Sequence, residues 1–186
     1  MACAQLSELN SEQKDMAAKI IYTGTQRNFS PSMIEFAVRA AFIESSLGLN
    51  IGPSRPGGDH IGLYQYDAET WDTQGHVGNR TDYVAQINAF YDDITYYVGR
   101  YSNLTPYQRS IVSLEKYIYI KHHDGRSFTD LENAPGGAIY DSICIDIYIN
   151  SYYGYSGGGV TRDYYVTTFG YVWGNLPIGL VTVSPI

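Results

Sequence analysis

The sequence predicts a mainly α protein, one globular domain built around a buried central helix that ends in a carboxylate. Three observations carry this. From Met33 to Ile43 only Glu35 and Arg39 are charged, and a helix that apolar is buried over most of its circumference. From Thr81 to Tyr101 the apolar residues Val84, Ile87, Tyr91, Ile94, Val98 and Tyr101 recur at alternating threes and fours, the spacing of one helix face. A chain of 186 residues that is 44% hydrophobic has the size of one ordinary domain and can bury a sizeable core. Neither an internal repeat nor a dividing linker interrupts it.

The elements follow in order. Residues 11–24 read as an amphipathic helix capped near Asn10 or Ser11. Ser30 and Ser32 around Pro31 start the central helix, residues 31–46, with Glu35 three residues after Ser32 as a capping-box partner and Gly48 as the stop. Gly52 to His60, rich in Pro and Gly, is a loop suited to a cleft wall. Thr105 and Pro106 open a helix that carries Tyr107, Ile111, Leu114 and Ile118 on one face and ends at Gly125. ICIDIYINSYYGY alternates in places and fits either strand or buried helix. The Gly157 to Gly159 run is a turn. The organisation is an N-terminal helical segment over residues 1–29, a main body over residues 30–173, and an apolar Gly- and Pro-containing tail of the same domain over residues 174–186.

Glu44 is the residue with the most chemical content. It lies at the end of the buried helix, at the rim of the core and near the negative end of the helix dipole. Both settings disfavour a charged carboxylate and predict a raised pKa. A glutamic acid that keeps its proton near neutral pH can donate it to a glycosidic oxygen. A glutamate at a helix end is otherwise a solvated surface residue.

The segment ESSLGLNIGPSRPGGDHIGLYQYDAETW resembles the catalytic core of the lysozyme-like superfamily, in particular soluble lytic transglycosylases and goose-type lysozymes. There a Glu followed by Ser ends a buried helix, and a GL-aromatic-or-Met-Q string then lines the glycan cleft. Here these are Glu44 and Ser45, then Gly62, Leu63, Tyr64 and Gln65, with SRPGGD lengthening the intervening loop. YIYIKHHDG resembles the family's AYNAG-like string, for which some relatives have an HH-acidic-G version, and TRDYYV resembles its late TRxYV string with one extra Tyr. The likeness spans roughly residues 30–173. It implies an α+β lysozyme-like fold, helix for ICIDIYINSYYGY, and a glycosidase cutting the MurNAc-β-1,4-GlcNAc bond of peptidoglycan strands. Glu44 would be the general acid and base, without cofactor. Ser45, Gly62, Tyr64, Gln65, Tyr119, His122 and Tyr165 would bind or shape the substrate, His122 because it falls where the family has its cleft tyrosine.

Two outcomes stay open. A lytic transglycosylase needs one Glu, and the muramic 6-hydroxyl attacks to leave a 1,6-anhydro product. An inverting muramidase needs a second carboxylate, about 6.5–9.5 Å from the acid, to activate water. Asp67 falls where goose-type lysozymes carry an acidic residue, and Asp59 is a further candidate. Asp67 is equally well placed as a helix N-cap for AETW.

Composition narrows the partners. A net charge of −7 argues against nucleic acid and against anionic membranes. The 19 tyrosines suit both stacking on sugar rings and aromatic packing, with Tyr64, Tyr119 and Tyr165 the best placed for substrate. Cys3 and Cys144 read as two free thiols rather than a disulfide or metal pair. His122 and His123 are adjacent, not four apart, so no metal site is expected. No 18-residue apolar run and no signal-peptide pattern is visible. The expectation is a delivered bacteriolytic enzyme, from a phage lysis system or an antibacterial effector, made in the cytoplasm and acting in the periplasm or cell wall. Delivery machinery and a cognate inhibitor or immunity protein are the expected partners beside the glycan. The alternatives are a mature domain whose signal has been removed, a non-catalytic glycan-binding or virion module, and an acidic inhibitor or immunity protein.

Overall fold

The computed structural model describes residues 4–5, 8–53, 55–143 and 145–146. They form seven helices and a two-residue strand pair: β1 (Ala4–Gln5), α1 (Ser11–Gln26), α2 (Pro31–Ser45), α3 (Ala68–Thr73), α4 (Tyr83–Tyr101), α5 (Pro106–Ile111), α6 (Leu114–His123), α7 (Pro135–Ser142) and β2 (Ile145–Asp146). The protein is therefore mainly helical. β1 and β2 pair in parallel, Ala4 with Ile145 and Gln5 with Asp146, so these two residues of ICIDIYINSYYGY are strand where the resemblance implied helix. The rest of that segment, the glycine run, Tyr165, the tail, Cys3 and Cys144 lie outside the described residues. Among those described, no helix is long and apolar enough to cross a membrane.

α2 is the central element, burying Met33, Ile34, Phe36, Ala37, Val38, Ala40, Ala41 and Ser45. Its alanines let neighbouring helices approach closely, and α1, α4 and α6 all pack against it. The start is simpler than the capping box expected at Ser32: Ser30 is the N-cap, its side chain accepts the Met33 N–H, and Pro31 occupies the first turn. Glu35 is thus two positions beyond the slot a capping box needs. The stop comes early as well. Ser46 takes a left-handed conformation with φ 52°, ahead of Gly48. α1 has a complete capping box between Asn10 and Gln13.

α4 buries two adjacent rows. One is Ile87, Tyr91 and Ile94, as the periodicity predicts; the other is Gln86, Phe90, Asp93 and Tyr97. Val84 and Val98, also on the predicted face, are instead exposed. The single helix predicted from Thr105 to Gly125 is two. Val112 is extended, with φ −133° and ψ 136°, its carbonyl accepts the Tyr101 hydroxyl at 2.9 Å, and Ser113 caps a new helix through the Lys116 N–H. Tyr107 is consequently an exposed residue. α7 runs on to Arg39, whose Nη2 donates to the carbonyls of Tyr140 and Ile143 at 2.7 and 2.9 Å and ties its C-terminus to α2.

Tyrosines brace these helices. Tyr64, Tyr66, Tyr91, Tyr97 and Tyr119 are among the largest fully buried side chains, and Tyr91 donates its hydroxyl to the Ile20 carbonyl of α1 at 2.9 Å. Gly24 makes room for it, because a Cβ there would lie 2.2 Å from the Tyr91 hydroxyl and 2.8 Å from Ile34 Cγ1. Gly24→Ala is expected to destabilise the fold by about 1–3 kcal/mol through overpacking, read as a lower midpoint in urea unfolding. An unchanged midpoint would show that α1 and α4 are not in fixed contact.

Candidate active site

The site is assembled on a buried, non-helical turn. Residues 61–66 close through an isolated antiparallel bridge between Ile61 and Tyr66, and Gly62 to Tyr64 are buried. Buried irregular backbone must find a partner for each polar group, and here the partners are identifiable. Gly62 N–H donates to the Ile51 carbonyl at 2.7 Å. Leu63 C=O accepts the Ser45 hydroxyl at 2.7 Å. Tyr64 N–H donates to Gln86 Oε1 at 2.7 Å, and Tyr64 C=O accepts His122 Nε2 at 2.8 Å. Gln65 C=O accepts His60 Nδ1 at 3.0 Å, and Tyr66 C=O accepts Arg80 Nη1 at 2.7 Å. Gly62 has φ +84°, and a Cβ there would meet the Gln86 side chain at 2.0 Å, so glycine is required by conformation and by space.

Beneath the turn, Tyr66 donates its hydroxyl to Asp93 Oδ2 at 2.6 Å. Asp93, 2% exposed, is also approached by His76 Nε2 at 3.4 Å and Arg126 Nη2 at 3.5 Å. Burial, then the Asp93 carboxylate, hold the Tyr66 phenol well above its ordinary pKa, so it stays a donor.

Above the turn lies a cleft of about 400 Å³ lined by Glu44, Arg55, His60, Gln65, His122 and His123. Glu44, the penultimate residue of α2, is half-buried. Its Oε1 accepts the Tyr119 hydroxyl at 2.6 Å. Burial first, then the charge of Glu44, push the Tyr119 phenol far up, so Tyr119 donates and does not take a proton from Glu44. Glu44 Oε2 has no hydrogen bond from any described residue. Gln65, also lining the cleft, is held at φ +50° with Nε2 donating to the Gly62 carbonyl at 2.9 Å. Among the described residues, Arg55 and three histidines thus line the cleft with one carboxylate, in a chain whose net charge is −7.

Of the residues the resemblance placed in the cleft, Glu44, Gln65 and His122 line it. Ser45 and Tyr64 do not. Ser45 is 1% exposed, its oxygen lying between Leu63 O, Ala41 O and the Gly48 N–H. Tyr64 is 0% exposed. It stacks on Phe90 at 4.1 Å and 7° and donates its hydroxyl to the Ala37 carbonyl, so no sugar can reach its ring. Gly62 is equally buried and serves the turn, and Tyr119 reaches the site only through its bond to Glu44. Asp67 takes the cap role: Oδ1 and Oδ2 accept the Thr70 N–H and hydroxyl at 2.5 and 3.0 Å. Asp59 is bound to the Ala68 N–H and to Arg80 at 2.8 and 2.7 Å, and these two contacts hold its carboxyl below the usual carboxylate range. Neither aspartate lines the cleft.

Sequence reasoning missed Arg55, His60 and His123 in the cleft, and Gln86 and Asp93 behind it. The last two were detectable in principle, since each is a polar residue spaced with Phe90 and Tyr97 on a buried helical row. Among the described residues no group of three or more His, Cys, Asp or Glu is placed to hold a metal ion. No protein-family model, curated protein or solved structure matches this chain.

Gln86→Leu leaves the buried Tyr64 N–H and Ile61 C=O without their partners. It is expected to cost about 1–3 kcal/mol for each group left unpaired and to accelerate amide exchange at Tyr64. Unchanged stability and protection would show that the turn is held by other contacts.

Proposed function

We propose that this chain is a glycosidase that cleaves the MurNAc-β-1,4-GlcNAc bond of peptidoglycan, with Glu44 as the general acid. The observation that carries the reading is the bond from Tyr119 to Glu44 Oε1 on the wall of the cleft. It fixes the carboxyl plane and leaves Oε2 to meet the substrate. As general acid, Glu44 donates a proton to the glycosidic oxygen as the C1–O bond breaks, the task that makes a glycoside a leaving group.

The cleft's charge supports a wall glycan over a neutral one. Arg55 suits the lactyl and stem-peptide carboxylates that muramic acid carries, and it is a cation on the cleft of an otherwise acidic protein. The Glu-Ser and GLYQ strings supply the remaining support through their resemblance to lysozyme-like enzymes. A bacteriolytic setting, by phage lysis or effector delivery, belongs to the same proposal.

Digestion of purified peptidoglycan, with released muropeptides measured by mass spectrometry, tests it. Glu44→Gln should lower release by about 10²–10⁴-fold, the usual worth of a positioned acid, with an unchanged thermal midpoint. Tyr119→Phe should fold normally and lower release roughly tenfold or more, because its bond to Oε1 strengthens as Glu44 gives up its proton, and a hydrogen bond to a charged group contributes about 1.5–3 kcal/mol. Equal release by wild type and Glu44→Gln would overturn the assignment. Wall binding without release by the wild type would make the chain a glycan-binding module.

A further inference from the structure

We propose that His123, oriented by Asp124, is the general base that deprotonates an attacking water in this cleft, making the reaction hydrolysis rather than anhydro-ring closure. The inference rests on the glycosidase reading above and assigns its second proton-transfer group.

The carboxylates that the sequence offered for this role are engaged elsewhere, Asp67 at the start of α3 and Asp59 with Arg80 and the Ala68 N–H. Among the described residues, the remaining proton-accepting side chains that line the cleft beside Glu44 are imidazoles. His122 is structural: a carbonyl can only accept, so its Nε2 carries the proton donated to Tyr64 O. Its ring is enclosed edge-on by Tyr64, Tyr66 and Phe90. His60 donates through Nδ1 to Gln65 O, and no carboxylate of a described residue bonds to its ring.

His123 differs. Its Nδ1 lies 2.7 Å from Asp124 Oδ1, and a carboxylate acceptor puts the proton on Nδ1 and leaves a lone pair on Nε2. Asp124 is itself fixed, with its side chain 6% exposed and Oδ2 accepting the Gly136 N–H at 2.9 Å. Residue 136 is held to glycine by the same contact, since a Cβ there would lie 2.9 Å from His123 Cβ and 3.0 Å from Asp124 Oδ2. α7 therefore presses its first turn against the pair. The His123 side chain is 32% exposed and lines the cleft together with Glu44. Tyr119 connects the two, its ring 5.9 Å from that of His123 and its hydroxyl on Glu44. Among the described residues, the other charged or titratable groups lining the cleft are Arg55, His60 and His122.

In the step, the water oxygen bonds to C1 of the muramoyl residue from the face opposite the leaving group. The C1–O4 bond breaks, its electron pair staying on O4, which takes the proton of Glu44. The water's proton passes to His123 Nε2, and exchange with solvent restores both groups. Asp124 is a positioning residue that fixes the tautomer.

The test is digestion of peptidoglycan in ¹⁸O-water by wild type, Glu44→Gln, His123→Ala, His123→Gln and Asp124→Asn, with folding checked by circular dichroism. Wild type should release reducing-end muropeptides labelled at C1. Both His123 variants should lose at least 10²-fold in rate, as expected for a general base. Azide, an anionic nucleophile that needs no base, should restore turnover of His123→Ala and Asp124→Asn and yield a glycosyl azide, whereas a merely structural defect would not respond. Unlabelled 1,6-anhydro products lost in Glu44→Gln would overturn the His123 assignment and leave the glycosidase reading standing. So would full hydrolytic rate in His123→Gln. No release by wild type would overturn both.

Discussion

The constraint on which this structure depends is the need to satisfy the backbone of the buried turn at residues 61–66. Removing several peptide groups from water without helix or sheet to pair them would cost more than the net stability of a domain. The chain answers with partners from many directions: Ser45 from the end of α2, Gln86 from α4, His122 from α6, and His60 and Arg80 from the flanking loops. Ser45, Gln86 and His122 each join the turn to a helix distant in sequence. The turn thereby fixes the relative positions of α2, α4 and α6, and with them the cleft.

This explains how a helix end becomes a chemical site. α2 terminates at Ser45 because Ser46 and Leu47 take left-handed backbone and Ser45 Oγ accepts the Gly48 N–H. Glu44 is left at the last turn, half in the core, where Tyr119 from α6 meets it. α6 contributes on several sides at once. Tyr119 reaches Glu44, His122 reaches the turn, and His123 faces the cleft while Asp124, at the helix C-cap, holds the first turn of α7. Four roles within six consecutive residues are feasible because successive helical positions differ by about 100° in direction.

Sequence reading reached the helices whose burial is written as periodicity. α2 was legible because it is apolar throughout, and α4 because Ile87, Tyr91 and Ile94 keep their spacing. The break between α5 and α6 was not, because Ile111, Leu114 and Ile118 keep a helical spacing across it while Val112 unwinds to give its carbonyl to Tyr101. For the site, residue types were legible and their exposure was not. Ser45, Gly62 and Tyr64 stand inside a motif that borders a cleft, yet all three are buried and hold the turn in place. Tyr64 lends its aromatic face to Phe90 rather than to solvent. His122 and His123 are adjacent and chemically identical in sequence; only the Tyr64 carbonyl and the Asp124 carboxylate tell the structural imidazole from the available one. Asp67 shows the same limit, since a cap and a catalytic carboxylate look alike until their hydrogen bonds are seen.

The central claim, that Glu44 Oε2 meets the bond to be broken, is tested most directly by a crystal structure of Glu44→Gln with a MurNAc-GlcNAc oligomer bound. The account predicts the glycan along the wall formed by Gln65, His122 and His123. The scissile glycosidic oxygen should sit about 2.6–3.2 Å from the residue 44 amide, with Tyr119 still bonded to the other atom of that side chain. A glycan bound elsewhere on the molecule, or bound in the cleft with its glycosidic oxygens beyond reach of residue 44, would contradict it.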